Sequence, residues 1–321
     1  MRAVRFHDYL GLDGVRVETA PRPVAGPAEI LIEVHAAGVN PFDWYAVEGY
    51  VNDYVQFSLP AILGRDFSGI VAAIGAGVTA FAIGDAVYGH ADASADGSFA
   101  DYVAVPADRA VMKPDSLSHI DAASLPNVLM AAWDGLFSAD TGMNLQSGQT
   151  VLINGAAGGI GTVAVQLARW RGARVIGTAS PGNHPLLYEL GAAAAYDYHS
   201  ADWDETAGKV DAVLDTADGS TAERLCALIR PGGSYVSLRG MPSPEFVAAR
   251  SADGVRCIAA SGPNSASALP EMAAAVAQGA VKPIVSETFP LDRVRDALEA
   301  VRAGHVRGKI VIVVHPENHS I

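Results

Sequence analysis

The sequence predicts a two-domain α/β fold, a small strand-rich barrel followed by a parallel sheet with crossover helices. Three observations predict it. Short apolar runs separated by Gly, Pro and Asp fill the first third of the chain; from about Ala122 the pattern changes to strand, glycine turn and helix, repeated; and a glycine-rich loop joins the first strand and helix of that repeat. With 321 residues the chain exceeds the usual span of one core. The expected division is 1–121 and 122–262, with 263–321 returning to complete the first domain.

The runs of the first third are Ala3 to Phe6, Glu29 to Ala36, Ser68 to Ile74, Ala86 to Tyr88 and Tyr102 to Val105, each of strand length and bounded by turn formers. In the second part, Thr150 to Asn154 and Ala173 to Thr178 read as the first two parallel strands. Between them Ile160, Ala164 and Leu167 share one face at helical spacing, and Gly172 is placed to end that helix. The repeat continues with a helix near Pro185 to Leu190 closed by Gly191, a strand at Val210 to Asp215 and a helix at Ala222 to Ile229. A Pro231-Gly232-Gly233 turn then leads into Ser234 to Leu238, and Val255 to Ala259 is the last strand. Leu269 to Gln278 and Val294 to Arg302 read as helices. Lys309 to Val314 is a strand too far downstream for the repeat, which assigns it to the first domain.

Composition narrows the function classes. Half the residues are hydrophobic and mean hydropathy is +0.21, yet Gly, Pro and charged residues interrupt the chain before the roughly 18 to 20 apolar residues of a membrane span accumulate. The stretch from Met1 to Tyr9 alternates as a strand and lacks the zones of a signal peptide, so the cytoplasm is the expected compartment. A formal charge of -13 and a pI near 5.0 repel nucleic acid, and would repel an anionic cofactor too unless local donors overcame the field. The two cysteines, Cys226 and Cys257, sit in apolar stretches and read as buried small side chains rather than reactive thiols.

The loop Gly155-Ala156-Ala157-Gly158-Gly159-Ile160-Gly161 lies between a predicted strand and a predicted helix, the context a dinucleotide fingerprint requires. Small residues let the backbone approach a pyrophosphate, whose charge meets the helix N-terminal N–H groups. Ala156, Gly158 and Gly161 take the three fingerprint positions, with Gly159 and Ile160 between them; Ala at the first is tolerable if its φ stays negative. About twenty residues on, an NAD enzyme carries an acid for the ribose 2'-hydroxyl. Here the strand runs into Thr178-Ala179-Ser180 without one, and Ser180, Asn183 and His184 are candidate donors to a 2'-phosphate, so NADPH is the expected cofactor. For His184 the other reading is an exposed loop histidine.

These residues, together with Gly38-Val39-Asn40-Pro41-Phe42-Asp43-Trp44, Pro60 to Gly69, Gly84 to Gly89, Leu125-Pro126 with Ala132-Trp133, and Gly304 to Val311, carry a resemblance. Over nearly its full length the chain resembles the medium-chain dehydrogenase/reductase superfamily, and within it the zinc-free quinone oxidoreductase-like branch. The resemblance implies a GroES-like β-barrel catalytic domain, a Rossmann domain with a doubly wound parallel sheet, a nicotinamide in the interdomain cleft and a homodimer. In the zinc alcohol dehydrogenases of the superfamily a Cys stands at the position of Asn40 and Gly-His-Glu at Gly64-Arg65-Asp66. Neither Asn nor Arg is a credible zinc ligand, so no metal is expected.

Without a Lewis acid the chemistry implied is hydride transfer from NADPH to an electron-poor small molecule, a quinone or an α,β-unsaturated carbonyl compound, with the protein holding geometry and donating hydrogen bonds to the growing oxyanion. The alternative is an NADPH-binding redox sensor or structural protein with negligible turnover. Asn40 is the first candidate polar group beside nicotinamide or substrate. Asp43 is a family acid or a turn residue bonded to its own backbone; Tyr45 and Tyr50 are ring-stacking or proton-donating groups, or barrel packing. Arg65 and Asp66 are expected to pair with each other. Asn127 either compensates for Ala131, where related reductases carry Thr, or has a surface or helix-cap role. Tyr198 matches an adenosine-end position; Lys309 matches a Gly-Lys pair, its charge reaching the cofactor or solvated at an edge strand. His35, His90 and His315 read as structural.

Overall fold

The computed structural model describes residues 1–217, 219–239, 241–260 and 268–315; the expected boundary at 262 and 263 lies outside them. In chain order come β1 (Arg2–Phe6), β2 (Arg16–Thr19), β3 (Glu29–Val39), α1 (Pro41–Val47), β4 (Ala61–Ile62), β5 (Asp66–Ile74), β6 (Ala86–His90), β7 (Tyr102–Pro106), β8 (Ala110–Met112) and α2 (His119–Ala123). Then α3 (Pro126–Phe137) leads to β9 (Thr150–Asn154), α4 (Gly159–Trp170), β10 (Arg174–Thr178), α5 (His184–Leu190), β11 (Ala194–Tyr196), α6 (Trp203–Ala207) and β12 (Val210–Asp215). After these follow α7 (Ala222–Ala227), β13 (Ile229–Ser237), α8 (Pro244–Ala252), β14 (Arg256–Ala259), α9 (Leu269–Ala277), β15 (Val285–Pro290), α10 (Val294–Ala303) and β16 (Lys309–Val313). The chain divides into two compact units, Met1–Asn127 with Ala266–Ala277 and Pro283–Ile321, and Val128–Ser265 with Gln278–Lys282.

In the first unit one sheet runs β15-β16-β3-β5-β6-β8, with β7 also on β3, and a smaller one runs β2-β1-β4. Strand β3 organises it. Ile30, Ile32 and Val34 recur at the period of two that aims them at one face, where they meet Phe67, Val87, Ile310 and Ile312 in the core. Helix α10 buries Val294, Ala297 and Leu298, an i, i+3, i+4 stripe, against the same core. Truncating a residue such as Leu298 to Ala is expected to cost about 2–5 kcal/mol. Strands β2 and β15 have no counterpart in the sequence-based expectation, because only Phe289 of β15 and nothing of β2 is buried, and an exposed strand leaves no apolar alternation to read. The expected edge position of Lys309 is corrected by β15. That strand pairs with β16 on one side while β3 pairs on the other, and Lys309 is buried rather than solvated.

The second unit is a parallel six-stranded sheet in the order β11-β10-β9-β12-β13-β14. The order reverses at β9, so the connections leave its C-terminal edge in opposite directions and open a crevice there, where ligands of such sheets bind. Helix α4 buries Val163, Ala164, Leu167 and Ala168. Gly172 beyond its end takes φ +83°, and Gly191 ends α5 at φ +105° with its N–H on Leu187 and Tyr188 carbonyls. The expected Pro231-Gly232-Gly233 turn is instead inside β13: the register to β12 shifts between Val210 and Ala212, and a residue at positive φ, Gly232, is absorbed as an irregularity.

Candidate functional site

The second unit carries a cradle built from backbone. Gly155 leaves β9 at φ +73°, and Gly158 is the extended N-cap of α4 with no side chain bonded across the helix start. The first N–H groups of an α-helix have no acceptor of their own, so those of Gly159, Ile160 and Gly161 form a donor set suited to an anion. Gly161 has to be Gly, since a Cβ there would stand 2.3 Å from the Gly155 carbonyl oxygen and 2.6 Å from Ala156 Cα. Ala156 keeps a negative φ and is fully buried; its methyl fits because it faces Gly177 of β10, where an added Cβ would come within 2.9 Å of it. The small residue at 177 of the strand makes room for the methyl in the loop.

Side chains at the C-terminal ends of four strands brace this loop. Thr178 Oγ1 donates to Asn154 Oδ1 at 2.6 Å, and Asn154 Nδ2 donates to Asp215 Oδ1 at 2.8 Å. Tyr235 OH donates to Asp215 Oδ2 at 2.7 Å, and Thr216 Oγ1 to the Asn154 carbonyl at 2.7 Å. Burial and the adjacent carboxylate push the Tyr235 phenol up, so it stays a donor. Sequence reasoning missed Asn154, Thr178, Asp215 and Tyr235; for the first three the signal was a polar residue at the end of an apolar strand.

Beyond β10, Ser180, Asn183 and His184 come together in one turn. Asn183 Nδ2 donates to Ser180 Oγ at 3.1 Å, and the His184 ring nitrogen Nε2 lies 3.0 Å from the Ala179 carbonyl. All three are half-buried, so His184 is not the exposed loop histidine of the other reading. Tyr198 lies apart from them in sequence, exposed, its ring 4.1 Å from that of His199.

In the first unit a cluster of buried polar side chains is assembled by strand register. Asp66 and His90 stand directly opposite in the antiparallel β5–β6 pair, and His90 Nδ1 lies 2.7 Å from Asp66 Oδ1. Val39 pairs with Ile310, which brings Asn40, the N-cap of α1, beside Lys309. Lys309 Nζ donates to Asn40 Oδ1 at 2.5 Å and to the Val39 carbonyl at 2.7 Å, and lies 3.6 Å from Asp66 Oδ2. Asn40 Nδ2 donates to Asp66 Oδ2 at 2.9 Å. Asn127 at the start of α3 closes the cluster, its N–H on Asp66 Oδ1 at 2.9 Å and its Nδ2 on Asn40 Oδ1 at 3.0 Å.

Burial opposes ionisation of Asp66, but the hydrogen bond from His90 and the charge of Lys309 outweigh it and hold the carboxyl below its ordinary range. Burial lowers both His90 and Lys309. The pair is therefore a neutral imidazole donating Nδ1–H to a carboxylate whose counter-charge is Lys309. Asp43 Oδ2 accepts the Asn40 N–H at 2.7 Å, as a helix-capping acid does, yet burial pushes its carboxyl up to about 7. Asp43 Oδ1 and His90 Nε2 are buried with no hydrogen-bond partner among the described residues.

Several expectations change here. Arg65 does not pair with Asp66; successive residues at a strand start point to opposite sides, and the Arg65 guanidinium lies 4.3 Å from the centroid of the Phe42 ring. His90, read from the sequence as structural, is buried in the cluster and bonded to Asp66. Asn127 caps no helix with its side chain but bonds Asn40. Lys309 is engaged by Asn40 and Val39. Tyr45 and Tyr50 pack with Trp44, at ring separations of 4.1 and 6.1 Å, and Tyr50 is 64% exposed.

Among the described residues no helix is long and apolar enough to cross a membrane, and no group of three or more His, Cys, Asp or Glu side chains is placed to hold a metal ion. Residues 26–115 match the alcohol dehydrogenase GroES-like domain and residues 190–312 the zinc-binding dehydrogenase family. The chain is 31% identical over 327 residues to a 2-methylene-furan-3-one reductase of Solanum lycopersicum, covering 98% of this chain and 79% of the relative. It is 29% identical over 327 residues to a chloroplastic NADPH-dependent alkenal/one oxidoreductase of Arabidopsis thaliana, covering 98% and 80%. The quinone oxidoreductase structure from Coxiella burnetii superimposes with a TM-score of 0.86 at 31% identity, covering 98% of this chain and 99% of that one.

Proposed function

The chain belongs to the medium-chain dehydrogenase/reductase superfamily, in its quinone oxidoreductase-like branch, and on that premise we propose that this oxidoreductase is an NADPH-dependent, zinc-independent reductase of quinones or α,β-unsaturated carbonyl compounds. The observation that carries the proposal is the α4 N-terminus, uncapped by any side chain and approached through Gly155 and Gly161. Its donors suit the cofactor's diphosphate. Ser180, Asn183 and His184, in a turn free of carboxylates, are the proposed partners of the 2'-phosphate, with Tyr198 at the adenosine end. The bound nicotinamide supplies the hydride.

The polar cluster of the first unit supports a metal-independent reading. Asn40 Oδ1 and both Asp66 oxygens already accept hydrogen bonds, and the Lys309 ammonium occupies the place a cation would take, so these residues do not fit a zinc ion. Lys309, whose ammonium holds Asn40 Oδ1 and the Val39 carbonyl, is the proposed cation on the cofactor's side of this cluster. Asn40 commits one of its two amide hydrogens to Asp66, and the other is proposed to stabilise the negative charge that grows on the acceptor's oxygen. Asp43, near neutrality in its ionisation, is the proposed reserve of the proton that follows the hydride, with Tyr45 and Tyr50 as outer groups on the acceptor side. A cytoplasmic homodimer joined through the parallel sheet completes the proposal.

NADPH consumption against a panel of quinones, 2-alkenals and enones, with NADH alongside, tests it. Turnover with at least one class, faster with NADPH, is expected; tight NADPH binding without turnover on any acceptor would replace the reductase by a sensor.

A further inference from the structure

Cys226 of α7 and Cys257 of β14 are 31 residues apart in sequence, yet their sulfurs are 3.7 Å apart. The register explains the meeting. Cys257 pairs with Tyr235 on β13, and Tyr235 and Cys226 belong to one buried cluster with Leu225 and Val255, against which Cys257 packs. The two thiols differ in access. Cys226 is fully buried, whereas Cys257 is half-buried and lines a depression of about 430 Å³ with Val247, Ser251, Gly254 and Arg256.

We propose that Cys226 and Cys257 form an oxidisable dithiol, which closes to an intramolecular disulfide within the nucleotide-binding unit on exposure to hydrogen peroxide. The Cys257 thiolate attacks a peroxide oxygen, the O–O bond breaks, and the departing hydroxide takes a proton to leave as water, giving a sulfenic acid at Cys257. The Cys226 sulfur then attacks the Cys257 sulfur; the S–O bond breaks and water leaves with the thiol proton. Two thiols and one peroxide become one disulfide and two waters, with two electrons passed to the peroxide. A disulfide has its sulfurs about 2.05 Å apart, so closure brings them roughly 1.7 Å nearer than the present 3.7 Å. Burial pushes the Cys226 thiol up to about 12, which keeps it protonated against small oxidants and leaves the first attack to Cys257.

The test treats the full-length protein with hydrogen peroxide and maps its thiols by intact-mass and peptide analysis. The expected result is loss of both free thiols together, a fall in mass by two hydrogens, a peptide linking residues 226 and 257, and full reversal by dithiothreitol. Cys226→Ser should instead trap Cys257 as a sulfenic acid reactive toward dimedone, and Cys257→Ser should leave Cys226 unoxidised. Uptake of oxygen atoms by the wild type without the link, disulfide-joined dimers, or two intact thiols at a peroxide excess that oxidises free cysteine would each overturn the proposal. The wild-type arm decides alone if a variant does not fold.

Discussion

The glycine loop of the second unit and the polar cluster of the first solve the same problem, placing hydrogen-bond donors, in opposite ways. The loop uses backbone N–H groups from one short stretch, fixed by two glycines and a helix start. The cluster uses side chains from five places, Asn40, Asp66, His90, Asn127 and Lys309, brought together by the pairings β3–β16 and β5–β6. The loop's donors are main-chain groups that a side-chain substitution does not remove; the cluster is only as sound as each member, because removing one leaves another buried and unpaired.

That contrast is broken most forcefully at Asp66. Asp66→Asn removes the counter-charge of Lys309 and puts a donor NH2 in place of one of the two oxygens that between them accept three hydrogen bonds, and urea denaturation should show a loss of about 3–5 kcal/mol. Replacing Lys309 by Met in the same chain should recover part of that loss, since the stranded ammonium goes with it. The loop breaks through sterics instead. Gly161→Val places carbon where the Gly155 carbonyl already stands, and NADPH affinity measured by fluorescence titration should fall by at least ~100-fold, about 2.7 kcal/mol.

A smaller effect comes from pH. Asp43 has a folded value near 7, above its unfolded value, so the unfolded chain ionises it first and stability from this group falls as pH rises from about 4 to about 7, then levels. Asp43→Asn keeps an acceptor for the Asn40 N–H and removes the titration. The variant should therefore gain on the wild type by more than about 1 kcal/mol across that span; an advantage that shrinks with rising pH would show that Asp43 is ionised in the folded state. Ser180→Asp should shift preference from NADPH towards NADH by about tenfold in Kd, about 1.4 kcal/mol, because a carboxylate repels the 2'-phosphate. Smallest of all, Tyr50→Ala should change stability by no more than about 0.5 kcal/mol, since the side chain is mostly in solvent.

The same contrast explains what was legible in the sequence. The loop and its α/β surroundings were, because Gly155 to Gly161 carries its own context, a strand before and a helix after. Asn40 and Lys309 were singled out one at a time, without the bond between them, since 269 residues separate them and only sheet pairing makes them neighbours. His90 reads as bland in the sequence for the same reason: its partner across the sheet lies 24 residues back, and Arg65 beside that partner suggests a local pairing that strand alternation forbids. Cys226 and Cys257 are a further case, two ordinary apolar positions until helix and strand are packed.

The most direct measurement is a titration of the purified protein with NADPH and with NADH, followed by nicotinamide fluorescence. Saturable binding with NADPH held about tenfold or more tighter than NADH is the expected result. No saturation by either nucleotide at millimolar concentration would contradict a diphosphate seated on the turn after Asn154, and with it the reductase.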